Sequence, residues 1–182
     1  MIITNFDQVW EETDKIPGSF TKENGYHLFE QALGVPIYGS VIEIGVDQGR
    51  SASLLLTAAK IKGFYVSLVD SWESVLIDNY ERVKALRSRF PKVRCSIFHA
   101  KSADIVNQLP GPYDLIHIDA NHTAESADED CRLWLGKVKH KGIACFHDYD
   151  MDGVRKAVDK YTANWEKIGD FDNLAIRRKH DS

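Results

Sequence analysis

The sequence is short of features that would mark a specialised environment. It holds three cysteines in 182 residues, Cys95, Cys131 and Cys145, an odd and scattered set with no CxxC spacing. That argues against a disulfide framework or a cysteine zinc site and fits reduced thiols of the cytosolic kind. No apolar run approaches the roughly 20 residues needed to span a bilayer. Met1 to Trp10 carries an acid, Asp7, no basic residue and no long apolar stretch, so it does not read as a signal peptide, and a cytoplasmic location is expected. Neither sign of charge dominates: 23 basic and 27 acidic residues leave a formal net charge of -4, which speaks against a nucleic acid or a membrane as partner. The five prolines are dispersed, and no repeat, low-complexity tract or Pro/Gly/Ser linker divides the chain. One domain over residues 1–182 is expected, with 1–39 as a helical N-terminal segment and 40–180 as the core.

What is present is a regular alternation of apolar runs and helical stripes. Val41–Ile44, Phe64–Val69, Arg94–Phe98, Tyr113–Ile118 and Gly142–His147 read as strands. Between them, helical spacing predicts a helix from Ser51 closed by Gly63 and another carrying Leu76, Tyr80, Val83, Leu86 and Phe90 before Pro91. A short helix over Ala103–Leu109 and longer ones over Glu125–Val138 and Gly153–Tyr161 follow, and Tyr26–Leu33 forms a helix ahead of the first strand. Trp165–Ile168 and Leu174–Arg178 flank a turn-like stretch and read as a closing antiparallel hairpin. Alternating strands and helices imply βαβ units, so the fold expected is three-layer α/β: a Rossmann-like sheet of seven strands, mostly parallel. The basic stretch from Arg82 to Arg94 reads as a solvated helix face.

Four of the apolar runs end in a carboxylate: Glu43, Asp70, Asp119 and Asp148. Ligands of open parallel sheets bind beyond the carboxyl ends of the strands, so these acids are expected to face one crevice and to favour a polyhydroxyl or cationic ligand. The turn after the first strand, Glu43-Ile44-Gly45-Val46-Asp47-Gln48-Gly49-Arg50-Ser51, lacks both the GxGxxG dinucleotide fingerprint and the GK[ST] of a phosphate-binding loop. Its two glycines allow a close backbone approach to a ligand, and its acids repel phosphate.

The E-I-G-x-x-x-G of this turn resembles motif I of the class I S-adenosylmethionine-dependent methyltransferases, with Asp70 where that class places an acid on the ribose hydroxyls. The resemblance implies that Glu43, Gly45, Val46 and Gly49 serve the methionyl end of the cofactor, that Ser71 and Trp72 flank the adenosine, and that Lys101-Ser102-Ala103 contacts the adenine. The later stretches His117-Ile118-Asp119-Ala120-Asn121-His122 and Phe146-His147-Asp148-Tyr149 resemble the metal-dependent O-methyltransferases, both the catechol and the sugar-modifying types. By that resemblance Asp119 and Asp148 hold Mg²⁺, Asp119 also borders the cofactor, and His122 stands three residues on as the catalytic base. A divalent cation would relieve the repulsion of two adjacent carboxylates.

Two departures from the resemblance bear on the metal. Tyr149 stands where the catechol type has an asparagine ligand, and His147 where the sugar type often doubles the acid, which leaves His147, Asp150, Glu125 or water as the third ligand. His117, inside a strand, reads as a core histidine. The acceptor implied is a hydroxyl of a small molecule or sugar, covered by the first forty residues or by a second subunit of a homo-oligomer. Two other readings stay open on the residues alone: a histidine-carboxylate metal enzyme, either an oxygenase or a hydrolase, and a non-catalytic binding module on the same fold.

Overall fold

The chain's architecture was obtained as a computed structural model that describes residues 5–73 and 78–180. Two helices precede the sheet, α1 (Phe6–Thr13) and α2 (Lys22–Leu33). Asn5 caps the first with its side chain, and Thr21 and Asn24 close a reciprocal capping box on the second. Only the second was expected. The stripe Phe6, Val9, Trp10, Thr13 that buries α1 is interrupted by acids and is easily missed.

The core runs β1 (Ser40–Ile44), α3 (Arg50–Lys62), β2 (Tyr65–Asp70), α4 (Asn79–Ser88), β3 (Cys95–His99), α5 (Ser102–Ile105), β4 (Tyr113–Ile118), α6 (Ala124–Trp134), a 3₁₀ turn (Leu135–Lys137), β5 (Val138–Phe146), α7 (Asp152–Tyr161), β6 (Glu166–Phe171) and β7 (Leu174–Arg178). The strands form one seven-stranded sheet in the order β3-β2-β1-β4-β5-β7-β6. The first five are parallel, and β7 runs antiparallel to both β5 and β6. The expected three-layer sheet with its closing hairpin is therefore present. Gly63 caps α3 as expected. Leu76, placed on the fourth helix by spacing, lies outside the described residues.

Several boundaries differ. The helix expected to run to Val138 ends at Trp134, because β5 begins at Val138, four residues before the expected Gly142. The polar Lys139-His140-Lys141 lies within β5, where β4 and β5 shift register between Tyr113 and Leu115. The helix after β3 is only four residues long. In the hairpin, β6 continues through Phe171 and leaves Asp172-Asn173 as the connection.

Period-two alternation sends β1, β2, β4 and β5 side chains into two cores. Val41, Leu68, Leu115 and Cys145 pack with α1–α4, while Ile42, Ile44, Val69, Ile116 and Phe146 pack with α5–α7. The order reverses between β1 and β4, so their carboxyl ends open the crevice that such sheets use for ligands.

Candidate functional site

The crevice is built from the β1 turn upward. Gly45 has φ +84°, and a Cβ there would stand 2.1 Å from the Asp119 carbonyl oxygen. Glycine is therefore required for the turn to lie against the end of β4. Gly49 caps α3 at φ +90°, and a Cβ there would stand 2.8 Å from Leu86 of α4; it shapes the turn from behind and does not line the cleft. Asp70 ties the turn down. Its Oδ2 accepts the backbone N–H of Val46 at 2.7 Å and of Asp47 at 2.8 Å, and its Oδ1 accepts that of Trp72 at 2.7 Å. Trp72 donates its indole N–H to the Asp47 carbonyl at 2.8 Å and packs against Tyr80 and His99.

Glu43 does not reach the cleft wall. It lies opposite His117 in the β1–β4 register, and strand alternation turns it into the α1–α4 core, where it is fully buried. There it accepts the Ser51 hydroxyl and faces His117 Nδ1 at 3.0 Å. Burial pushes the Glu43 carboxyl well above the usual carboxylate range, and the Ser51 hydrogen bond offsets part of that. Burial also pulls the His117 imidazole down to about 4. Both shifts remove charge from the interior. The strand-end acid expected on the cofactor is thus one step behind it, reaching the cleft through Ser51.

The second acid–histidine group sits at the rim. Asp119 and Asp148 follow neighbouring strands, and His147 lies between them, with Nδ1 3.0 Å from Asp119 Oδ1 and 3.0 Å from Asp148 Oδ2. His122 Nδ1 is also 3.0 Å from Asp148 Oδ2, and Asn173 of the β6–β7 connection donates to Asp148 Oδ1 at 3.2 Å. Burial by itself would lower the His147 imidazole, but hydrogen bonds and charge from Asp119 and Asp148 outweigh it and lift the group to about 9. Burial would raise the Asp148 carboxyl, and the His147 contact reverses that and leaves it lowered. Donor atoms of Asp119, His122 and Asp148 lie within 4.8 Å of one another, a separation that suits one shared cation. Of the third-ligand candidates, His147 stands beside both acids, whereas Asp150 and Glu125 are exposed.

A cleft of about 740 Å³ opens over these elements, within the range of small-molecule sites. Its wall includes Gly45, Val46, Asp70, Ser71, Trp72, Ser102, Asp119 and His122. Asp148 is absent from that wall and is reached past His122. Two further contributions had not been placed by residue, although the first of them falls within the first forty residues expected to cover the site. Pro17–Phe20, between α1 and α2, closes one side, held by Arg50, which donates to the Gly18 carbonyl at 2.6 Å and pairs with Asp14. Phe20 packs against both His117 and His147, at ring centroid distances of 5.5 and 4.9 Å. The Pro17-Gly18 pair signals a turn, but nothing local says what that turn covers. The other contribution is Asp130 of α6.

Comparison with known proteins agrees with this geometry. Residues 42–149 match the model of a family described as a methyltransferase domain. Among solved structures, an O-methyltransferase from Bacillus cereus in complex with S-adenosylhomocysteine is similar at a TM-score of 0.70 and 14% identity, covering 100% of this chain and 94% of that one. The S-adenosylhomocysteine-bound methyltransferase PaMTH1 of Podospora anserina is similar at 0.69 and 16%, covering 99% and 89%. CalS11, a TDP-rhamnose 3'-O-methyltransferase of calicheamicin biosynthesis, is similar at 0.68 and 12%, covering 97% and 93%. No helix among the described residues is long and apolar enough to cross a membrane. With more than half of its length matched by the family model, the chain belongs to the methyltransferase-domain family, the S-adenosylmethionine-dependent class that its glycine turn resembles.

Proposed function

We propose that this methyltransferase methylates a hydroxyl of a small molecule or sugar with the help of Mg²⁺. The observation that carries the reading is one cleft whose wall joins two unlike sets of residues, Gly45, Val46, Asp70, Trp72 and Ser102 from the β1–β3 side and Asp119 and His122 after β4. The first set suits the cofactor. The backbone approach at Gly45 accommodates its methionyl end, and Asp70 keeps lone-pair capacity for a ribose hydroxyl beyond its three backbone bonds.

The second set suits an acceptor. Asp119 and Asp148 offer the hard oxygens that Mg²⁺ prefers, with His122 beside them. When bound, S-adenosylmethionine supplies a methyl group on a sulfonium, and Mg²⁺ supplies a Lewis acid that eases loss of the acceptor's hydroxyl proton. His122 turns Nδ1 toward Asp148, which fixes the tautomer with Nε2 free, so that His122 would accept the acceptor's hydroxyl proton at Nε2. The walls contribute by holding the two reactants in line.

One observation favours a second reading at the rim. His147 Nδ1 already faces both carboxylates and, when protonated, offsets one of their two charges without a metal. Titration calorimetry separates the possibilities. S-adenosylmethionine is expected to bind with micromolar affinity, and no binding at millimolar concentration would sink the methyl-transfer reading. Mg²⁺ is expected to bind the cofactor-loaded protein and to lose that binding in an Asp119→Asn, Asp148→Asn double variant. No Mg²⁺ binding to the parent protein, together with full activity in chelator, would select the metal-free reading.

A further inference from the structure

Asp130 is an acid in the wrong stripe. On α6 the residues Ala127, Asp130, Cys131 and Trp134 recur at helical spacing and are all buried, so the face that carries the apolar core also carries a carboxylate. The helix's other acids face water: Asp128 pairs with Lys160, and Glu129 with Arg132. Asp130 is 4% exposed, and among the described residues no lysine or arginine pairs with it. Among the described residues its one hydrogen bond is to Oδ1, accepted from the Ser102 hydroxyl at 2.5 Å. A buried carboxylate is tolerated only where donors satisfy it, and a single hydroxyl leaves most of its lone pairs unused.

Its place along the cleft says which donor a bound ligand would bring to it. Asp130 lines the main cleft beside Lys101, Ser102 and Ala103, at the junction of α5 with α6. Lys101 is engaged elsewhere, 3.1 Å from Glu73. Along the carboxyl edge of the sheet, Gly45 and Asp119 stand at β1 and β4 and Asp70 at β2, while Ser102 opens the helix after β3. A cofactor with its methionyl end at Gly45 and its ribose at Asp70 therefore brings its base toward Ser102 and Asp130. Ala103, next to Ser102, has no side-chain polar group to offer that base.

We propose that Asp130 accepts a hydrogen bond from the exocyclic amine of the cofactor's adenine and thereby sets the base specificity of the site. The proposal rests on S-adenosylmethionine being the cofactor. Ser102 would fix the orientation of the carboxylate, with its hydroxyl on Oδ1 leaving Oδ2 for the amine. An acceptor at this point favours a 6-amino purine and opposes a 6-oxo purine, whose carbonyl oxygen would face the carboxylate.

The test is binding, by calorimetry, of S-adenosylhomocysteine and S-inosylhomocysteine to the whole protein. The wild type is expected to prefer the adenosyl ligand by roughly 100-fold, the worth of a charge-assisted hydrogen bond exchanged for an acceptor–acceptor clash. Asp130→Asn places a donor and an acceptor at the same point and is expected to narrow the preference to within about tenfold, with the inosyl ligand gaining affinity outright. That gain is something an unfolded or damaged variant does not produce. If Asp130→Asn does not fold, Asp130→Ser takes its place. Equal binding of both ligands to the wild type overturns the proposal without any variant. A preference that survives unchanged in the folded variants overturns the role of Asp130 and leaves the cofactor reading standing. A wild type that binds neither ligand overturns the cofactor reading, and the proposal with it.

Discussion

Two histidines on neighbouring strands point to the same side of the sheet, lie under the same phenylalanine, and face opposite electrostatic fates. His117 pairs across to Cys145, and His147 follows two residues beyond that partner; Phe20 covers both rings. Each has a carboxylate 3.0 Å from Nδ1. His117 is pulled down to about 4, while His147 is lifted to about 9. Burial opposes charge at both, so the difference lies in the partners. The Glu43 side chain is fully buried and itself resists ionisation, whereas Asp119 and Asp148 keep 20% and 12% of their side chains in contact with solvent. A carboxylate charges a histidine only if it can stay charged itself. The interior pair is thus a neutral brace, and the rim group is the place where protons or a cation can be handled.

The largest expected effect breaks the rim alone. His122→Ala is expected to lower turnover by about 10²- to 10⁴-fold while leaving cofactor affinity nearly unchanged. Steady-state kinetics together with calorimetry would read both, and unchanged turnover removes His122 from the mechanism.

Next comes the brace. Glu43→Ala leaves the Ser51 hydroxyl and the His117 imidazole unpaired around a new cavity, and is expected to destabilise the fold by about 3 kcal/mol. The midpoint of denaturant unfolding reports this. A loss confined to cofactor binding, with stability intact, would return Glu43 to the cofactor.

The smallest effect is the sharpest. In the folded pair the raised Glu43 and the lowered His117 bend the stability curve in opposite directions with pH and offset one another. Glu43→Gln isolates the lowered His117. Its stability should fall as pH drops from about 6.5 toward 4, because the unfolded imidazole takes a proton that the folded one refuses. His117→Asn isolates the raised Glu43, whose contribution is complete below about 4.5 and is lost as pH rises. Each slope is at most about 1.4 kcal/mol per pH unit, and the two have opposite signs. Parallel stability curves for both variants and the wild type would mean that burial shifts neither group and that the contrast with the rim is false.

Much of the fold was legible because parallel strands covered on both faces are written as near-continuous apolar runs, and because Gly63 and Pro91 punctuate them. That Asp70, Asp119 and His122 line the cleft was legible because the strand ends and the turns that follow them face the crevice whatever packs around them. Glu43 was misplaced by a single position. It precedes the last residue of β1, and period-two alternation, the same rule that located the strand, sends it inward. The start of β5 was hidden because Lys139-His140-Lys141 carries no apolar signature. Phe20 was beyond local reading, since its partners lie on β4 and just after β5. Asp130 was readable in principle, as an acid at an apolar helical position.

The seat of Phe20 also governs when this protein can first work. The cleft wall at Pro17–Phe20 comes early in the chain, the rings it rests on come late, and Asn173, which steadies Asp148, comes later still. A chain emerging from the ribosome therefore carries its glycine turn long before it has a complete site around it. The first helices have α3 to pack on early, but the cleft is closed only once β4, β5 and the final hairpin are in place. Maturation is thus set by contacts between distant parts of the chain, and a nascent chain halted before β7 would hold the cofactor motif without a closed place to use it.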